Sequence, residues 1–196
     1  MHRSVPLLIL VLILTAGASA RAQDPVAPDL LIRDRIDSVI EVLQQQELDL
    51  QSKKAAILDL VEPLFDFALM GKLALGKTHW QSLSASEQER YQRCFVDMLK
   101  ASYVNKLDFF SNESVVYRDV EQQGRNKVAV PTVLVSKDAE YLMLYKLYRS
   151  ARGWLIYDVE IQGVSVITSF RSQFDQILQN GTPADLLREM AKQCSG

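Results

Sequence analysis

Tyr141-Leu142-Met143-Leu144-Tyr145-Lys146-Leu147-Tyr148 is the stretch that decides the fold class. It is rich in aromatic and aliphatic residues, which suits a pleated strand. A strand with one wet face alternates apolar and polar residues. This one is apolar on both parities. The same holds for Val128-Ala129-Val130 and Thr132-Val133-Leu134-Val135. Strands are therefore expected over Val115–Glu121, Lys127–Val135, Glu140–Ser150 and Trp154–Gln162. The links between them, QQGRN, SKDA and ARG, are too short for crossover connections. An antiparallel meander follows. Pro131 inside the second strand points to an edge or a bulge, because proline has no N–H for the ladder.

Outward from the strands, the period changes. Leu30, Ile32, Ile36, Val39, Ile40 and Leu43 recur at spacings of three and four, so Asp29–Gln46 reads as an amphipathic helix. Ser52–Val61 is a second helix, and Leu64–Leu75 follows Pro63 and ends at Gly76. Ser84-Ala85-Ser86-Glu87 has the capping-box pattern and opens the longest helix, about 85–109. Val166–Gln179 is helical, and Thr182 with Pro183 and Asp185 starts a final helix. The order gives an α+β domain, with an antiparallel sheet of about four strands and helices packed around it. Both sheet faces should be covered. Either helices take one face and a self-contact the other, or sheet and helices diverge around an apolar cavity. Spacing leaves both open.

The chain has 196 residues, 48 % hydrophobic, which is ample for a core and fits one domain. Its 22 basic and 24 acidic residues leave no positive excess for nucleic acid. The first 22 residues have a different character. His2 and Arg3 precede the aliphatic run Leu7–Leu14, and Ala18-Ser19-Ala20 and Ala20-Arg21-Ala22 are small-x-small sites. This is the layout of a cleaved signal peptide, residues 1–22. Its apolar stretch of about 15 residues is short of the roughly 20 that span a membrane. Cleavage after Ala22 leaves one domain, 23–196, with 20 basic against 24 acidic residues, a net charge of −4. The mature chain is expected outside the cytoplasm, in the periplasm of a Gram-negative cell. There Cys94 and Cys194 either form one disulfide or stay a buried thiol and a tail thiol.

Chemistry-bearing patterns are scarce. His79 is the one histidine left after cleavage, so a histidine triad or metal cluster has little to build on. No HExxH, CxxC, G-x-S-x-G, P-loop or GxGxxG pattern occurs. No catalytic residue, metal or cofactor is expected. Asp158 and Glu160 share a strand face. They read as a salt-bridged or solvated pair, or as the general base of a small isomerase- or hydrolase-like enzyme.

Three segments carry a resemblance. They are Phe65–Gly76 with His79-Trp80, then Glu87–Tyr91 with Phe95, Leu99, Tyr103 and Leu107, and finally Gly153-Trp154 leading to Tyr157–Ser165 and then Phe170-Arg171-Ser172-Gln173-Phe174. Together they resemble the MlaC family, periplasmic components of a lipid-asymmetry pathway also described as toluene-tolerance ABC-transport auxiliary proteins. The likeness covers nearly the whole mature chain, and Gln162 stands where the family often has Glu. The resemblance implies a periplasmic carrier, not an enzyme, that holds phospholipid cargo by its acyl chains in an apolar pocket. It implies two partners: an inner-membrane ABC transporter bearing a ring of MCE domains, and an outer-membrane lipoprotein complex. A carrier of another lipid, such as a hopanoid, is the alternative. The expected lipid-binding residues are Phe95, Leu99 and Tyr103 on the long helix, and Val130, Met143, Tyr145, Leu147, Tyr157 and Val159 on the strands. Val164, Val166 and Phe170 complete the wall. Core packing is the competing role for each.

Overall fold

A computed structural model describes residues 26–103, 114–137 and 139–194. The expected signal segment 1–22 and the last turns of the long helix, 104–109, lie outside the described residues. Five helices come first. They are α1 (Pro28–Gln44), α2 (Leu50–Val61), α3 (Phe67–Leu75), α4 (Lys77–Ser82) and α5 (Ala85–Tyr103). Six strands follow: β1 (Ser114–Tyr117), β2 (Glu121–Gly124), β3 (Lys127–Val135), β4 (Glu140–Ser150), β5 (Gly153–Ile161) and β6 (Val164–Ser165). α6 (Val166–Leu178) and α7 (Pro183–Met190) close the chain. The α+β class is as the sequence indicates. The sheet has six strands rather than about four.

Local chemistry sets the helix starts. Asp49, Asp66, Ser165 and Thr182 each accept a backbone N–H of the first turn of α2, α3, α6 and α7. Ser84 and Glu87 close the box at α5, with the Ser84 N–H donating to Glu87 Oε2 at 2.8 Å. The expected single helix Leu64–Leu75 is in fact a 3₁₀ turn, Glu62–Leu64, followed by α3. Pro63 and the capping Asp66 explain the interruption.

β3, β4, β5 and β6 form an antiparallel meander, and β1 and β2 both pair with the remaining edge of β3. The expected strand Val115–Glu121 is thus split in two. Pro131 does not mark an edge strand, since β3 is central. Its carbonyl accepts from the Arg118 N–H on the β1/β2 side. N and C=O of one strand residue project the same way, so the missing donor falls in the gap between β1 and β2, where no partner needs it. The β5–β6 turn is two residues, Gln162 and Gly163, both at positive φ (52° and 77°). That is the backbone of a type I′ hairpin, which glycine adopts without cost.

One sheet face carries Val128, Val130, Leu147, Ile156 and Val159, which join Phe95, Leu99, Val166, Phe170, Phe174 and Met190 in one core. The rings of Phe95 and Phe170 meet edge to face at 5.3 Å, and Tyr91 and Phe174 at 5.9 Å. α7 is held onto α5 by a Cys94–Cys194 disulfide whose Cα atoms are 5.0 Å apart. Of the two alternatives left open by spacing, the pair is bonded. Among the described residues, no helix is long and apolar enough to cross a membrane.

Candidate functional site

Antiparallel register assembles the helix-covered face row by row. Val128 pairs with Leu147, Val130 with Tyr145 and then Val159, and Thr132 with Met143 and then Ile161. Five of the expected strand residues, Val130, Met143, Tyr145, Leu147 and Val159, therefore share this surface. Phe95 and Leu99 from α5 and Val166 and Phe170 from α6 pack over it. Val130, Leu147, Val159, Phe95, Leu99, Val166 and Phe170 are buried, and they touch one another as core residues do.

Two expected residues stand elsewhere. Val164 is 60 % exposed on β6. The register shift after Lys146 makes Tyr157 an extra residue in β5. Its ring meets Tyr148 at 6.2 Å and lies under Lys127 Nζ at 5.0 Å, on the face opposite Tyr145. A bulge reverses parity, and nothing in the alternation of this strand announces it. The side chain of Tyr103 lies outside the described residues.

That opposite face does not continue the apolar wall. Ala129, Val133 and Leu155 are buried there, but Lys146, Asp158 and Glu160 stand among them. Lys146 Nζ lies 3.3 Å from Asp158 Oδ2 and also bonds Glu160. Burial works against the ammonium, and the two carboxylates more than offset it, so its pKa stands above the usual lysine value. Asp158 is 6 % exposed and fully engaged. It accepts from the Ser165 O–H at 2.8 Å and the Ile167 N–H at 3.2 Å, fixing the start of α6. A carboxylate held by three donors is an anchor rather than a free base. Arg171 likewise is spent on the Leu73 carbonyl.

The apolar interior meets the surface under α1. Leu31 and Ile36 of α1, with Met143, Tyr145 and Ile161 of the sheet, touch the core but are only partly buried. Burial pushes the Tyr145 phenol up, and the hydrogen bond from the Thr132 hydroxyl partly offsets that shift. α1 is held over this face by Tyr117 of β1, whose O–H donates to Asp37 at 2.6 Å and whose ring lies 4.0 Å from the Arg33 guanidinium. Further along, Val39, Ile40 and Leu43 of α1 and Leu58 and Val61 of α2 are half-buried and lie outside the core cluster. Only Ile32 in α1 and Ile57 in α2 are buried. α1, which reaches β3, and α2, which packs on α1, are thus loosely packed, with one buried side chain each.

Two clefts among the described residues are open to solvent. The larger, about 840 Å³, runs along α5 and α7 between Arg90, Arg93, Asp97 and Cys194, remote from the sheet. The smaller, about 370 Å³, lies between the start of α1 and the helix-covered face, with Val128 and Trp154 in its lining. Among the described residues, no group of three or more His, Cys, Asp or Glu could hold a metal.

Comparison with known proteins supplies the context. The family model described as MlaC protein matches residues 33–192. The intermembrane phospholipid transport system binding protein MlaC of Haemophilus influenzae is 21 % identical over 197 residues, covering 95 % of this chain and 92 % of that one. A solved structure of a phospholipid-binding protein from Ralstonia solanacearum, in complex with a phospholipid, superposes with a TM-score of 0.75 at 22 % identity. It covers 84 % of this chain and 95 % of that chain. The chain belongs to the MlaC family.

Proposed function

We propose that this protein is a periplasmic phospholipid carrier. Acyl chains lie along the sheet face formed by Val130, Met143, Tyr145, Leu147 and Val159, beneath α5, α6 and the α1–α2 pair. The observation that carries the reading is this face. It is continuous, apolar and helix-covered, reaches the surface under α1, and sits in a fold shared with a protein solved in complex with a phospholipid. Burying each methylene stabilises by roughly 0.8 kcal/mol, so a diacyl lipid with about 30 methylenes costs on the order of 24 kcal/mol to hold bare in water. A carrier offsets that by enclosing chains, which needs apolar area rather than catalytic groups. Because the wall residues pack on one another, loading must part helices from the sheet, and the loosely packed α1, with α2 on it, is the cover that lifts.

In this reading the lipid passes between an outer-membrane lipoprotein complex and an inner-membrane ABC transporter bearing MCE domains. Residues 1–22 are the cleaved export signal. No catalytic step is involved, and Asp158 and Glu160 serve the fold. The test is extraction of the mature protein, purified from periplasm, with its lipid identified by mass spectrometry. Near-stoichiometric phospholipid is expected, and photo-crosslinking from position 143 should label it. A folded preparation that yields no lipid, or yields a hopanoid instead, would overturn the assignment.

A further inference from the structure

The smaller cleft has a construction that the apolar wall does not explain. Its floor is Val128, a core residue, with Trp154 and Val120 packed against the same core. Its rim carries two guanidiniums, Arg125 in the β2–β3 turn and Arg149 near the end of β4. The backbone holds them together, because the Arg149 N–H donates to the carbonyl of Asn126, the neighbour of Arg125, at 3.0 Å. Arg149 pairs across the ladder with Trp154, on the helix-covered side of the sheet. Neither arginine has a carboxylate within 4.0 Å among the described residues, whereas Lys100, Lys146, Arg188 and Lys192 are all ion-paired. Asp29, in the first turn of α1, and Gln122 of β2 complete the polar lining.

An apolar floor continuous with the core, beneath two unpaired guanidiniums, suits an amphipathic anion. From these features we infer that this cleft receives the phosphodiester of the cargo lipid, with Arg125 and Arg149 as head-group ligands and the chains leading inward past Val128 and Trp154. A guanidinium matches phosphate oxygens in a two-pronged geometry that an ammonium lacks. Asp29 opposes a second negative charge, so the cleft favours a monoanionic diester over a dianionic monoester. This assignment rests on the carrier reading and adds to it a site for the head group and its charge.

The test compares two short-chain ligands with identical tails, dihexanoylphosphatidylglycerol and dihexanoylglycerol, titrated onto the delipidated mature protein. The wild type should prefer the phospholipid by about tenfold, equivalent to about 1.4 kcal/mol for two exposed contacts. The R125Q/R149Q variant should bind both ligands alike, at the diacylglycerol level. The single variant R125Q, in an exposed turn, should lose about threefold and covers the case in which the double variant does not fold. Equal binding of both ligands by the wild type, or an undiminished preference in the variants, would overturn the inference. So would displacement of the phospholipid by millimolar inorganic phosphate, which would make this a site for a free anion. Binding of neither ligand by the wild type would instead refute the carrier reading.

Discussion

Gly71 offers a test in which the sign of an effect, not only its size, is at stake. It lies in α3 against α5, and its backbone is ordinary helix, since it is absent from the residues at positive φ. A Cβ added there would lie 2.6 Å from Gln92 Oε1 and 2.9 Å from its Nε2. The Gln92 amide must then leave, giving up its bond to the Phe67 carbonyl. The lost hydrogen bond costs about 1 kcal/mol. Repacking of the α3–α5 contact costs about 1 kcal/mol more. Alanine in place of glycine inside a helix returns about 1 kcal/mol. Gly71→Ala should therefore destabilise the wild type by about 1 kcal/mol. In a Gln92→Ala background the obstacle is gone, and the same change should stabilise by about 1 kcal/mol, a coupling of about 2 kcal/mol. Urea unfolding of the four proteins, followed by circular dichroism, measures the cycle. The same sign for Gly71→Ala in both backgrounds would refute the reasoning.

The disulfide closes a loop of 100 residues, so Cys194→Ser should cost about 2–5 kcal/mol. At about 2–4 °C per kcal/mol for a chain of this size, its melting temperature should fall by about 10 °C and become insensitive to added reductant. Gln162 ties the β5–β6 turn to β4, with Nε2 donating to the Glu140 carbonyl and Oε1 accepting from the Leu142 N–H. Gln162→Glu keeps the acceptor but sets oxygen against oxygen at Glu140, so about 1 kcal/mol should be lost in the same unfolding assay. In acid, Glu87 and Asp185 set a slope. The Ser84 hydroxyl and N–H hold Glu87 below its ordinary 4.5, and the Thr182 hydroxyl and N–H, with Arg188, hold Asp185 below its ordinary 3.8. A carboxylate lowered on folding contributes in full above those values and loses its contribution as pH falls through the folded pKa. Urea midpoints should drop below about pH 4.5, and the Glu87→Gln and Asp185→Asn variants should each flatten the drop. An unchanged slope would show that these caps do not set it.

The division between what sequence and fold decide runs along individual residues. Helix starts were readable because a cap is a local event: Ser84 with Glu87 and Thr182 with Asp185 act over three residues. The strands and their antiparallel order were readable because links of a few residues permit little else. Which strand residues share the helix-covered face was mostly readable too. Parity along β4 puts Met143, Tyr145 and Leu147 on one side whichever partner lies opposite. Tyr157 was not, because one extra residue opposite Lys146 and Leu147 reverses parity without altering composition. The splitting of the first strand and the placing of Pro131 depended on two strands sharing one edge of β3, a long-range arrangement.

By itself, the sequence determined an α+β domain with an unusually apolar sheet, an apolar N-terminal run and very few groups able to do chemistry. Those are properties of composition and of short-range periodicity. Tertiary structure decided which parity of the sheet faces the helices, and that Asp158 is spent on holding α6. It also joined Cys94 to Cys194 and gathered Arg125, Arg149 and Trp154 around one cleft. Each of these depends on residues brought together across tens of positions, and only the pairing register and the path of the turns set those distances.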